Sequence, residues 1–110
     1  DECKMAGGYI PNWVLNPKPG ELARWAKAYD PVSGRIMEVY TELPGMQFYT
    51  ANSIKADPVG KGGAVYGPRS GYCFETQYYP DAVNKPQFPS PVLKAGETYS
   101  TTTVYKFLRE

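Results

Sequence analysis

With 110 residues, 42% of them hydrophobic and 15% aromatic, the chain can bury one core and is too short for two ordinary domains. Its 12 basic and 11 acidic residues leave a net charge of +1 with no run of like charges, which argues against nucleic acid and against an anionic membrane surface as partners. It contains no histidine, so no Ser-His or Cys-His dyad can form within these residues and the commonest zinc ligand is absent from them.

The first residues, Asp1-Glu2-Cys3-Lys4, carry no apolar core of a signal peptide, and no later apolar run is long enough to span a bilayer. Cys3 and Cys73 are the two cysteines. They are read as free thiols, which points to a reducing, cytoplasmic compartment. Tyr9 to Leu15, entered through Gly7-Gly8 and broken by Pro11, predicts a short strand. Asn16-Pro17-Lys18-Pro19-Gly20 is a turn, with prolines fixing φ and a glycine releasing the chain. Glu21 to Tyr29 reads two ways. Its alanines and leucine favour helix, whereas nine residues between turns also suit a strand with Ala23, Trp25 and Tyr29 on one face.

Asp30-Pro31-Val32-Ser33-Gly34 turns the chain into Arg35 to Thr41, where Ile36, Glu38 and Tyr40 alternate with Met37, Val39 and Thr41 in a strand. After Leu43-Pro44-Gly45, Met46 to Thr50 is the next strand, with Gln47 and Tyr49 on one face and Phe48 on the other. Ser53 to Ser70 is rich in glycine and is expected to be a long loop. Within it Gly60-Lys61-Gly62-Gly63 lacks the spacing of a phosphate-binding loop and leads into no helix.

The stretch from Gly71 to Gln77 predicts a strand on which Cys73, Glu75 and Gln77 share one face and Tyr72, Phe74 and Thr76 the other. By pattern alone Glu75 is either a residue of a solvated face or a carboxylate held on a rigid strand for proton chemistry. Cys73 reads as a small buried hydrophobe, since nothing near it in sequence would lower its pKa. Four prolines between Pro80 and Pro91 predict a fixed irregular loop beside that strand, which singles out Tyr78 and Tyr79. Thr101 to Phe107 is a β-branched and aromatic closing strand. Strands separated by Pro/Gly turns, with little helix, give an all-β, antiparallel sheet or sandwich.

Several segments in order carry a resemblance. Ser33-Gly34-Arg35-Ile36-Met37-Glu38-Val39-Tyr40-Thr41, Pro44-Gly45-Met46-Gln47-Phe48-Tyr49-Thr50, Gly60-Lys61-Gly62-Gly63-Ala64-Val65-Tyr66, Glu75-Thr76-Gln77, Pro80-Asp81-Ala82-Val83-Asn84 and Pro86-Gln87-Phe88-Pro89-Ser90 resemble the C-terminal part of the aldose 1-epimerase (galactose mutarotase) family. The resemblance implies that residues 1–110 are the C-terminal portion of a large antiparallel β-sandwich, completed by a second polypeptide segment. It implies interconversion of the anomers of a hexose such as galactose or glucose, without cofactor or metal. Glu75 would be the general base, Gln47 and Tyr78 would bind substrate, and the acid histidine would come from the N-terminal portion. Where the family has Gly-aromatic-Asp-His-Asn-aromatic, this chain has Gly8-Tyr9-Ile10-Pro11-Asn12-Trp13. Ile10 in place of the sugar-binding Asp favours an alternative: a non-catalytic or repurposed relative that binds carbohydrate or isomerises another hemiacetal.

Overall fold

The computed structural model describes residues 2–5, 7–18, 20–55 and 59–110, with the side chains of residues 2 and 3 outside that description. Among these residues, one helical turn at Glu2–Met5 is followed by six strands: β1 Asn12–Val14, β2 Ala23–Asp30, β3 Arg35–Thr41, β4 Gly45–Tyr49, β5 Cys73–Gln77 and β6 Thr103–Arg109. They make two three-stranded antiparallel sheets, β1-β4-β5 and β2-β3-β6. The expected all-β class of a β-sandwich portion is therefore what the chain adopts.

The ambiguous segment is a strand, because its backbone groups find a full ladder on β3 from Ala23↔Thr41 to Asp30↔Arg35. A bulge between Arg24 and Ala26 inserts Trp25 as an extra residue. It breaks the expected grouping of Ala23, Trp25 and Tyr29. Ala23, Ala26 and Ala28 stand opposite Thr41, Val39 and Met37, while Tyr29 is opposite Ile36 on the other face. The bulge also lets Trp25 and Ala26 both pack on the core, and the Trp25 indole N–H reaches the Thr41 carbonyl at 3.2 Å.

The sheets meet at Leu15, Val39 and Met46, against which Trp25, Ala26, Met37 and Phe74 are half-buried. Val39 and Thr41 are completely buried. Buried polar groups must be paired, and a chain of hydroxyls meets this need while linking the sheets. Thr76 Oγ1 lies 2.8 Å from Thr103 Oγ1, which lies 3.1 Å from Thr41 Oγ1; that oxygen accepts from the Leu43 N–H at 3.1 Å. The Tyr105 hydroxyl adds a 2.7 Å bond to the Phe74 carbonyl.

On the far side of β2-β3-β6, Glu38 is 6% exposed yet charged. Its carboxylate accepts from the Tyr40 hydroxyl at 2.8 Å, pairs with Arg24 from β2 and lies 3.8 Å from Lys106 Nζ on β6. The Tyr40 hydrogen bond first, then the Arg24 guanidinium, hold its pKa below the ordinary carboxylate range. The same bond raises the Tyr40 phenol. One carboxylate on the central strand thus gathers side chains from both edge strands.

Pro11 shortens β1. The Tyr9 and Pro11 carbonyls still accept from Thr50 and Phe48 at 3.2 Å each, but proline has no N–H to return. The expected long loop is confined by a bond from the Arg69 N–H to the Ala51 carbonyl at 3.1 Å, and a bridge between Val59 and Val65 closes around a turn at Lys61–Gly63. Cys73 is exposed, contrary to its reading as a buried hydrophobe, because the face it occupies is the polar one. The expectation for the Cys3 thiol falls outside the described residues. Among the described residues no helix is long and apolar enough to cross a membrane.

Candidate active site

Antiparallel pairing sets residues directly opposite each other on the same face. Asn12 of β1, Gln47 of β4 and Glu75 of β5 form one such row: Gln47 is the partner of both Asn12 and Glu75. The row above pairs Gly45 with Gln77 and the row below pairs Tyr49 with Cys73. One face of β1-β4-β5 therefore bears amides, a carboxylate, a phenol and a thiol. The other carries Met46, Phe48, Phe74 and Thr76, with Phe48 and Phe74 stacked at 4.8 Å. That aromatic pair on the buried side gives the strands beneath the polar row a fixed base.

The amides on this face are tied together. Gln77 Nε2 donates to Asn12 Oδ1 at 3.0 Å and to Gln47 Oε1 at 3.3 Å. Gln47 Nε2 donates to the Ile10 carbonyl at 2.9 Å. Ile10 thus serves the site through its backbone. Glu75 is exposed on the same face, and among the described residues its carboxylate has no ion-pair partner. A charged acceptor standing free beside an oriented amide can accept a proton or hydrogen bond from a ligand hydroxyl while the amide binds a neighbouring one.

Of the three site residues that the resemblance implies, the structure brings together two, Glu75 and Gln47. Tyr78 is elsewhere: it lines a groove of about 390 Å³ with Glu42, Leu43, Val92, Leu93 and Tyr99. Its neighbour Tyr79 lies at the end of the polar row. A β-carbon built on Gly45 would come within 2.9 Å of the Tyr79 ring, and the Tyr79 ring meets Phe88 edge-on at 5.1 Å. Phe88 brings the proline-rich loop to this edge of the sheet. Asp81 occupies the left-handed region at φ 59° and accepts from Asn84 Nδ2, as an ordered turn does. Tyr79, singled out with Tyr78 for its place beside the loop, is at this site, whereas sequence reading gives Asn12 and Gln77 no part in it. The signal for Gln77 was present, since the alternation 75, 77, 79 runs through it. Among the described residues no group of three His, Cys, Asp or Glu side chains is placed to hold a metal ion.

A family model described as aldose 1-epimerase matches residues 4–106. Galactose mutarotase of Rattus norvegicus is 54% identical over 82 residues, 74% of this chain and 24% of that protein. Galactose mutarotase of Sus scrofa is 51% identical over 100 residues, 91% of this chain and 29% of its own length. Aldose 1-epimerase of Escherichia coli (strain K12) is 37% identical over 112 aligned positions, 100% of this chain and 32% of its own. The chain spans about a quarter to a third of the length of these curated relatives. With a match that runs through every strand of the two sheets but the last residues of β6, the chain belongs to the aldose 1-epimerase family.

Proposed function

We propose that residues 1–110 are the C-terminal portion of a β-sandwich that interconverts the α and β anomers of a hexose such as galactose or glucose, with Glu75 as the general base. Glu75 takes the proton from the anomeric hydroxyl as the bond between C1 and the ring oxygen breaks, while an acid protonates that oxygen. Rotation about the bond from C1 to C2 presents the other carbonyl face, and ring closure returns both protons. Gln47 holds a sugar hydroxyl, for which an amide supplies a donor and an acceptor. Tyr78 is proposed to contribute to substrate binding from the groove it lines where β5 gives way to the proline-rich loop. The observation that carries this reading is the direct cross-strand pairing of Glu75 with Gln47 on an exposed polar face.

These residues contain no histidine, so the acid is a Lys, Tyr or carboxyl group among them or comes from outside them. We assign it to a second segment, the N-terminal portion of the same family fold. An open apolar cleft supports this. Trp13 and Val14, 55% and 64% exposed, line about 380 Å³ of space with Trp25, Met46, Phe48 and Phe74. An apolar opening of that kind is a place where another chain segment docks.

Polarimetry of freshly dissolved α-D-galactose and α-D-glucose tests the assignment. Decay of rotation accelerated by the complete protein should fall about 10²–10⁴-fold in Glu75→Gln. A second reading is favoured by the side chain at position 10, which lacks the acceptor that a sugar-binding Asp would supply. Sugar binding without acceleration, unchanged by Glu75→Gln, would select that reading, a carbohydrate-binding relative without mutarotase activity.

A further inference from the structure

The Gln47 amide is sterically symmetric: a half-turn of its terminal torsion exchanges Oε1 and Nε2 with little change in shape. What distinguishes the two orientations is the polarity of its neighbours. The Ile10 carbonyl can only accept, and it receives Gln47 Nε2 at 2.9 Å. Gln77 Nε2 can only donate, and it meets Gln47 Oε1 at 3.3 Å. A flipped amide would set two acceptors against each other at Ile10 and two donors at Gln77. Gln77 is itself oriented, because its second N–H is given to Asn12 Oδ1 at 3.0 Å.

We propose that Gln77, anchored by Asn12, is a positioning residue that fixes which end of the Gln47 amide meets the substrate. This rests on the reading of Gln47 as a sugar contact. With both neighbours satisfied, Gln47 retains one N–H and one lone pair, a set that matches one sugar hydroxyl acting as acceptor and another as donor. Gln77 sits two residues beyond Glu75 on the same face, so one strand carries both the base and the group that orients its companion amide. In this family member the arrangement also gives Ile10 a part: its carbonyl helps orient the sugar-binding amide although its side chain bonds nothing.

A double-mutant cycle on the complete protein tests this, with Gln77→Met, Gln47→Ala and the pair, measured by mutarotation kinetics on α-D-galactose. Gln77→Met, which keeps length and removes the donors, should raise KM about 2- to 10-fold, the equivalent of one lost hydrogen bond. Its kcat should stay near that of the parent. In the Gln47→Ala background the same change should add nothing, since the residue acts through Gln47. Without any ligand, the side-chain amide protons of Gln47, followed by NMR, should exchange faster with water in Gln77→Met. Losses that multiply in the double variant, or Gln47 amide exchange unchanged by Gln77→Met, would overturn the proposal while leaving Gln47 as a sugar contact. A Gln47→Ala variant with the parent's KM would overturn the reading of the site itself, and the proposal with it.

Discussion

Gly45 is where β4, the amide network and the proline-rich loop meet. A β-carbon on it would lie 2.9 Å from Tyr79 Cδ1, 3.0 Å from Asn12 Oδ1 and 3.1 Å from the Gln77 carbonyl oxygen. Favourable contacts of such atoms lie near about 3.5–4.0 Å, so Gly45→Ala must open gaps of roughly 0.5 Å on three sides at once. Tyr79 packs edge-on against Phe88, and the Gln77 carbonyl belongs to the backbone of β5. Overpacking of this kind costs about 1–3 kcal/mol, against which the reduced freedom of the unfolded chain returns about 0.4–1 kcal/mol. A net loss of about 1–2 kcal/mol is expected, read as a lower urea midpoint at unchanged slope. In a Tyr79→Ala background the penalty should shrink, since the closest neighbour is gone. A Gly45→Ala protein as stable as the parent, or more so, would refute this account of how the loop closes on the sheet.

Thr103→Val removes the hydroxyl joining Thr76 to Thr41 and leaves the buried Thr41 hydroxyl without its hydroxyl partner. It should cost about 1–3 kcal/mol in chemical unfolding, and a neutral result would contradict the role given to the hydroxyl chain. Glu38 has a folded-state pKa below its unfolded value, so the stability it contributes is complete above the unfolded carboxylate pKa and disappears as pH falls through the folded one. Between about pH 6 and about pH 3 the parent should therefore lose stability more steeply than Glu38→Gln; parallel curves would show that the clamp with Arg24, Tyr40 and Lys106 carries no such linkage.

Legibility in the sequence followed the regularity of the backbone. Arg35 to Thr41 is a strand with the expected bounds because strict alternation lies between two turns. The faces of β4 and β5 also followed from a period of two, whereas the pairing of Glu75 with Gln47 depends on the register between the strands, which alternation within each does not fix. Glu21 to Tyr29 could not be resolved locally. Its helix-favouring alanines are overridden by the β3 ladder, and its bulge has no marker such as glycine at Trp25. β6 runs from Thr103 to Arg109, two residues beyond the expected segment, because its register is set by Arg35↔Arg109 across the sheet. The exposure of Cys73 follows from the polar character of the whole face, which no single residue reveals. Tyr78 and Tyr79 are adjacent in sequence, and the backbone places them in different surroundings: one lines the groove beside Leu43, the other lies against Gly45.

The proposed mechanism depends on a proton acceptor on β5 and a proton donor on another segment. NMR magnetisation exchange between the α and β signals of galactose measures anomer interconversion directly at equilibrium. This division of acceptor and donor predicts no acceleration by the 110-residue chain alone, acceleration when the histidine-bearing N-terminal portion of the fold is joined to it, and a fall of about 10²–10⁴-fold with Glu75→Gln in that assembly. Acceleration by this chain alone, or an assembly whose rate survives Glu75→Gln, would contradict it.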